Sequence, residues 1–120
     1  MKFDFDNERP IYVQLVEQFR IGILTSQFGV GEKIPSVRDL AMLAKVNPNT
    51  MQKALAELEE EKLIYTERTN GKFVTKDTKL IKKFRDNLAK EKANEFFSSM
   101  KMIGIDENES IKYLLELLNK

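Results

Sequence analysis

Gly31-Glu-Lys-Ile-Pro-Ser-Val-Arg-Asp-Leu-Ala41, followed by Val46-Asn-Pro-Asn-Thr50 and then by Ala54, Leu55 and Leu58, is the stretch that decides the fold of this chain. Ser36 is of N-cap type and Asp39, three residues on, supplies the acidic half of a capping box. The helix they open should turn Val37, Leu40, Ala41 and Leu43 inward and stop near Lys45. Asn47 then caps a second helix, Pro48 pre-sets its first turn, and Met51, Ala54, Leu55 and Leu58 line one face of it. Two short helices joined by so tight a turn predict a helix-turn-helix.

Asn49, Thr50, Gln52 and Lys53 point away from that apolar stripe within the first two turns of the second helix. These are groove-reading residue types: amides pair bidentately with adenine, lysine reaches guanine or phosphate, and threonine bonds phosphate or touches a thymine methyl. An isolated helix with this face would be read simply as polar and solvated; its position behind a capped helix and a short turn is what favours a groove.

Further along, Leu63-Ile-Tyr-Thr66 and Lys72-Phe-Val-Thr-Lys76 are β-rich runs flanking a polar turn, Glu67-Arg-Thr-Asn-Gly71, and predict a hairpin. A hairpin behind the second helix is the wing of a winged helix. Its tip carries Arg68 and Lys72 around Asn70-Gly71, which offers cations and a bare backbone to phosphates or a minor groove. Upstream, Ile11, Leu15, Phe19 and Ile23 recur every four residues, with Tyr12 and Val16 alongside. They predict an amphipathic helix with Pro10 at its first position and an end near Gln27. Asp4, Asp6 and Glu8 read as a solvated N-terminal arm.

Composition narrows the function classes. The 120 residues include no cysteine and no histidine, so thiolate and imidazole ligands, and the commonest general base, are unavailable. No catalytic constellation is present, and no metal or other cofactor is expected. The first six residues are not a basic segment leading into an apolar run, and no apolar stretch is long enough to span a bilayer. The expectation is a cytoplasmic protein with no membrane partner. The net charge of +1 is low for a nucleic-acid binder, and residues 1–76 hold 11 basic and 11 acidic side chains. Within residues 33–53, however, Lys33, Arg38, Lys45 and Lys53 face only Asp39, while Glu57, Glu59, Glu60 and Glu61 gather beyond. A locally basic face on a neutral domain follows.

The last 44 residues carry 9 basic and 8 acidic groups and predict two more helices. The first runs from about Thr78 to Met102 with Leu80, Ile81, Phe84, Leu88, Phe96, Phe97 and Met100 in a broad apolar stripe, and ends at Gly104. Asp106 with Glu109 caps the second, in which Ile111, Leu114, Leu115 and Leu118 repeat at helical spacing. Two helices cannot bury this much apolar surface on each other, so a partner is required, and a second copy of the chain fits that need. Phe84, Phe96, Phe97, Met100 and Met102 are the residues that could line a small-molecule pocket between protomers; plain dimer core is the alternative, and no effector is evident.

Pro10-Ile-Tyr12 with Gln14, Gly31-x-x-Ile-Pro-Ser-Val-Arg-Asp-Leu-Ala41, Val46-Asn-Pro-Asn-Thr50, Lys53-Ala-Leu55, Leu58-Glu59 and Gly71-x-Phe-Val74 together resemble the winged-helix DNA-binding domain of GntR-type bacterial transcription regulators. The match covers nearly all of residues 9–76, and the Asn-Pro-Asn-Thr turn with the short C-terminal extension is most similar to the YtrA subfamily. The resemblance implies a mostly α fold with a small β-hairpin wing: a winged helix-turn-helix domain at 1–76 and a two-helix dimerisation region at 77–120, with Leu80, Phe84, Leu88, Phe96, Phe97, Ile111, Leu114, Leu115 and Leu118 at the dimer interface. It implies a homodimeric repressor of its own operon and of transporter genes, bound to an inverted-repeat operator in double-stranded DNA. Ser36 is then a phosphate contact and Arg38 a base contact suited to guanine; for Arg38 the alternative is a surface ion pair with an acid one turn away. Asn47, Asn49, Thr50, Gln52 and Lys53 match the turn and recognition helix, and Arg68, Gly71 and Lys72 the wing.

The chain also departs from the pattern. The wing has Thr69-Asn-Gly71-Lys72 where a Gly-x-Gly pair is usual, which makes the tip stiffer and more cationic. Lys62 and Ser26 each stand where the family usually has glycine. A winged helix kept as a protein-interaction module without specific DNA binding is the competing function.

Overall fold

The computed structural model describes residues 2–120. Five helices and one hairpin follow in the order α1 (Ile11–Leu24), α2 (Val37–Ala44), α3 (Pro48–Glu60), β1 (Ile64–Glu67), β2 (Gly71–Val74), α4 (Thr78–Lys101) and α5 (Glu107–Leu118). They form two compact units, one reaching to Lys82 and a second over Lys83–Lys120, with the boundary inside α4.

In the first unit, α3 packs against α1, α2 and β1. Met51, Ala54, Leu55 and Leu58 are fully buried there, against a core that includes Leu15, Phe19, Leu40, Leu63 and Val74. The caps form as their residue types dictate. Ser36 Oγ accepts from the Asp39 amide at 3.1 Å, and Asn47 Oδ1 accepts from the Asn49 amide at 2.7 Å with Pro48 in the first turn.

Several local readings are corrected. Pro10 is the N-cap of α1, in an extended conformation, and not its first helical residue; the helix closes at Leu24, short of Gln27. Leu43 faces solvent at 57% exposure, because α2 is only eight residues long and meets the core through Leu40, Ala41 and Ala44. The N-terminal arm is docked and not merely solvated: Phe3 lies 5.3 Å from the Phe19 ring centroid. Gln14, 2% exposed, also holds the arm. Its Oε1 accepts from the Asp6 amide at 2.9 Å and its Nε2 donates to the Asp6 and Arg9 carbonyls at 3.1 and 2.8 Å. A buried amide with both ends satisfied in this way carries little of the usual desolvation cost.

The hairpin pairs Ile64 with Val74 and Glu67 with Gly71; β1 lies one residue later than expected and β2 starts one residue earlier and stops at Val74, two short of Lys76, so the turn is only Arg68–Asn70. The Asn70 amide donates to the Glu67 carbonyl at 3.2 Å and Gly71 has φ 105°, a three-residue loop that needs glycine at its end. The free edge of β2 is covered by the α1–α2 loop: Lys33 bridges Phe73, the Ile34 amide donates to the Lys72 carbonyl at 2.9 Å, and the Val74 amide donates to the Glu32 carbonyl at 2.8 Å. This seam sets the start of α2 beside the hairpin.

Helix α3 ends in a Schellman motif, with the Lys62 amide on the Glu59 carbonyl at 2.9 Å, the Leu63 amide on the Leu58 carbonyl at 3.0 Å, and Lys62 left-handed at φ 65°. Ser26 and Lys45 are also left-handed, at φ 62° and 58°. Lys62 and Ser26, the two positions where glycine is usual, thus have the backbone that glycine would relax. A left-handed L-residue costs about 1–2 kcal/mol, against about 0.5–1 kcal/mol of extra chain entropy lost by glycine. Lys62→Gly is therefore expected to stabilise the first unit by roughly 0.5–1 kcal/mol and raise its thermal midpoint by a few degrees, read by circular dichroism; a fall in midpoint would show that the lysine side chain more than repays its backbone.

The second unit buries little. Asp106 caps α5 by accepting from the Glu109 amide at 2.9 Å, and Ser110 donates its hydroxyl to the Asp106 carbonyl at 2.7 Å. Gly104, at φ 82°, closes the turn after α4. Among the described residues of this unit only Ser110 is fully enclosed; Phe84, Leu88, Phe96 and Phe97 are half-buried, and Ile111, Leu114, Leu115 and Leu118 are open to solvent.

Candidate nucleic-acid interface

With four buried residues pinning one side of α3, the opposite side of its first two turns is left outward: Asn49, Gln52 and Lys53 are exposed and Thr50 is half-buried. Asn47 is exposed too, but its side-chain oxygen is committed to the cap. On α2, Ser36 and Arg38 are exposed. The guanidinium of Arg38 has no hydrogen bond or ion pair with any described residue, so the surface ion pair considered for it does not form.

Between the start of α2 and the hairpin lies an open cleft of about 730 Å³ that brings Ser36 together with Arg68, Gly71 and Lys72 from the wing. Lys33 lines it as well; the sequence counts it in the locally basic face but does not place it beside the wing. Its stem crosses the wing glycine so closely that a Cβ on Gly71 would sit 3.2 Å from Lys33 Cε. The signal that brings it here is the non-local bridge to Phe73, which has no counterpart in local sequence.

The cations of the wing differ in their freedom. Arg68 is exposed at the turn, whereas Lys72 is only 18% exposed and its ammonium lies 3.0 Å from Glu59 Oε1 and 2.9 Å from Thr66 Oγ1. Thr66 also donates its hydroxyl to Glu59. Desolvation pushes the Glu59 carboxyl up, but the Thr66 hydroxyl and the bond and charge of Lys72 outweigh it and hold the group below its ordinary value. The clamp seats β1 and β2 on the second half of α3.

Glu61 is tied to the scaffold in the same way, paired with Arg20 of α1 at 2.5 Å. The Tyr12 phenol of α1 is raised by its interaction with Glu57 first, then by desolvation and by the charges of Glu57, Glu61 and Glu60. Glu59 and Glu61 therefore have internal partners, Glu60 is exposed, and the polar face of α2 and α3 keeps its cations. No cluster of three or more potential metal-binding side chains occurs among the described residues, and no helix among them is long and apolar enough to cross a membrane.

Comparison with known proteins converges on one family. Residues 11–74 match the family described as bacterial regulatory proteins, gntR family. A GntR family transcriptional regulator from Listeria monocytogenes superposes with a TM-score of 0.86 at 39% identity, over 93% of this chain and 98% of that one. The HTH-type transcriptional repressor YtrA of Bacillus subtilis is 29% identical over 118 residues, 98% of this chain and 91% of its own. The DNA-binding domain of AraR, solved in complex with operator ORE1, is similar at 26% identity and a TM-score of 0.54, over 62% of this chain and 94% of that one. The matched segment holds α1, the two helices of the helix-turn-helix and the whole hairpin, and the chain accordingly belongs to the GntR family of bacterial regulatory proteins, as a transcriptional regulator with a winged-helix DNA-binding domain and not an enzyme.

Proposed function

We propose that the protein is a cytoplasmic homodimeric repressor that binds an inverted-repeat operator through residues 1–76 and dimerises through residues 77–120. The observation that carries the DNA reading is the freedom of Arg38 beside the open face of α3 while Glu59 and Glu61 are engaged elsewhere. In this reading Ser36 contacts phosphate, Arg38 pairs with guanine, and Asn47, Asn49, Thr50, Gln52 and Lys53 approach the major groove. Arg68, Lys72 and the bare backbone of Gly71 meet the DNA backbone from the wing. Lys72 shares its charge with Glu59 and contributes less than Arg68. The exposed apolar residues of α5 support the dimer, and the similarity to a transcriptional repressor supports the sign of regulation.

Selection of bound sequences from a random double-stranded DNA pool, at low and moderate salt, tests the reading. A palindromic site is expected; searched against the source genome it should fall upstream of the protein's own operon and of transporter genes, and in vitro transcription from such a template should drop on adding protein. Recovery of nothing above background by folded, dimeric protein would favour an interaction module instead. Arg38→Ala should weaken binding to the selected site by roughly 1–3 kcal/mol, about 5- to 150-fold, and relax preference at one base pair. Equal weakening on every sequence would reassign Arg38 to phosphate.

A further inference from the structure

Lys53 and Glu57 stand four residues apart on α3, a spacing at which lysine and glutamate ordinarily pair across one helical turn. Here a residue of another helix comes between them. The Lys53 ammonium lies 4.3 Å from the centroid of the Tyr12 ring and makes no ion pair with Glu57, whose interaction with the Tyr12 phenol raises that group. Tyr12 is the second residue of α1, half-buried where α1 packs on α3.

The difference between the two possible partners of Lys53 is electrostatic. A carboxylate neutralises an ammonium, and a neutralised lysine releases no counterions when it meets DNA. An aromatic face orients the ammonium through its quadrupole and leaves the full charge in place. By holding Lys53 over its ring, one side chain fixes the cation and keeps it away from the competing anion.

We infer that Tyr12 is a positioning residue for DNA binding, which keeps Lys53 off Glu57 and available as a cation at the recognition helix. The inference rests on the reading of Lys53 as a DNA contact, and the experiment separates the two. Full-length protein is titrated onto a labelled random-sequence duplex across a range of salt. Each phosphate-paired cation contributes about 0.9 to the slope of log affinity against log salt. Lys53→Met and Tyr12→Leu are each expected to lower the slope by about that amount, and Tyr12→Leu to add nothing in the Lys53→Met background. Glu57→Gln, placed on top of Tyr12→Leu, should restore the slope by removing the anion that captures Lys53. A merely structural tyrosine would lower the thermal midpoint and leave the slope alone.

A wild-type slope in folded Tyr12→Leu, or failure of Glu57→Gln to restore it, overturns the positioning role while Lys53 remains a DNA contact. An unchanged slope in Lys53→Met overturns the contact itself. A second readout needs no variant: in the free wild-type protein the Lys53 ε-methylene should be shifted upfield in NMR spectra by the Tyr12 ring current. Its absence overturns the inference even if Tyr12→Leu does not fold, and its presence in a protein with no salt-dependent DNA binding keeps the ring contact of Lys53 but overturns the role in DNA binding.

Discussion

Leu115→Asp is expected to leave the protein monomeric in light scattering and to weaken binding to a full palindromic site by about 10²- to 10⁴-fold, while binding to a single half-site changes little. The unit over Lys83–Lys120 encloses only Ser110 among its described residues, and Leu115 is 52% exposed on a helix whose Ile111, Leu114 and Leu118 are also open. A piece of fewer than about 40 residues without disulfide or metal does not usually hold together alone, so the apolar face of α5 is the natural surface for a second copy. A carboxylate set into such a face must be desolvated without a partner, at a cost of several kcal/mol. Dimeric binding spaces two recognition helices by about one helical turn of DNA, 34–36 Å, or a multiple of it. Loss of the dimer makes the second half-site encounter bimolecular. An intact dimer would refute the interface assigned to α5.

Leu55→Ala should cost about 2–5 kcal/mol of unfolding free energy. Leu55 has no exposed surface and lies on the face of α3 that meets the rest of the first unit. Truncation removes apolar contact and leaves a cavity that surrounding helices fill only in part. Against a total stability of about 5–15 kcal/mol for a domain, the loss is a large fraction. The measurement is the urea midpoint with its slope unchanged, alongside Gln52→Ala, which should stay within about 0.5 kcal/mol of wild type because it touches only solvent. If the two variants unfolded together, α3 would not be the centre of the core.

What the sequence made legible was local. Ser36, Asn47 and Asp106 announce helix starts through their own side chains, and the turn at Asn70-Gly71 through the left-handed backbone of its glycine. What it hid depended on partners distant in the chain. Gln14 interrupts an apolar stripe, and only the backbone of the folded-back arm explains why an amide is buried there. Lys33 enters the cleft through a bridge to Phe73, forty residues on. Lys72 looked like a free wing cation until the fold set Glu59 beside it. Leu43 was misplaced for a different reason: hydrophobicity favoured leucine over alanine, and the geometry of a two-turn helix seated Ala44 instead. The recognition residues were found because the capped turn and the apolar stripe between them leave one direction free for polar side chains.

Helix α3 divides its labour along its length. Glu59 and Glu61 fasten its second half to the hairpin and to α1, whereas Asn49 and Gln52 in its first half fasten nothing. Mutations at these two exposed positions are thereby uncoupled from foldability. A lineage carrying this helix can drift through alternative operator preferences one exposed residue at a time without passing through unfolded intermediates, and an engineer can randomise Asn49 and Gln52 in a library most of whose members still fold.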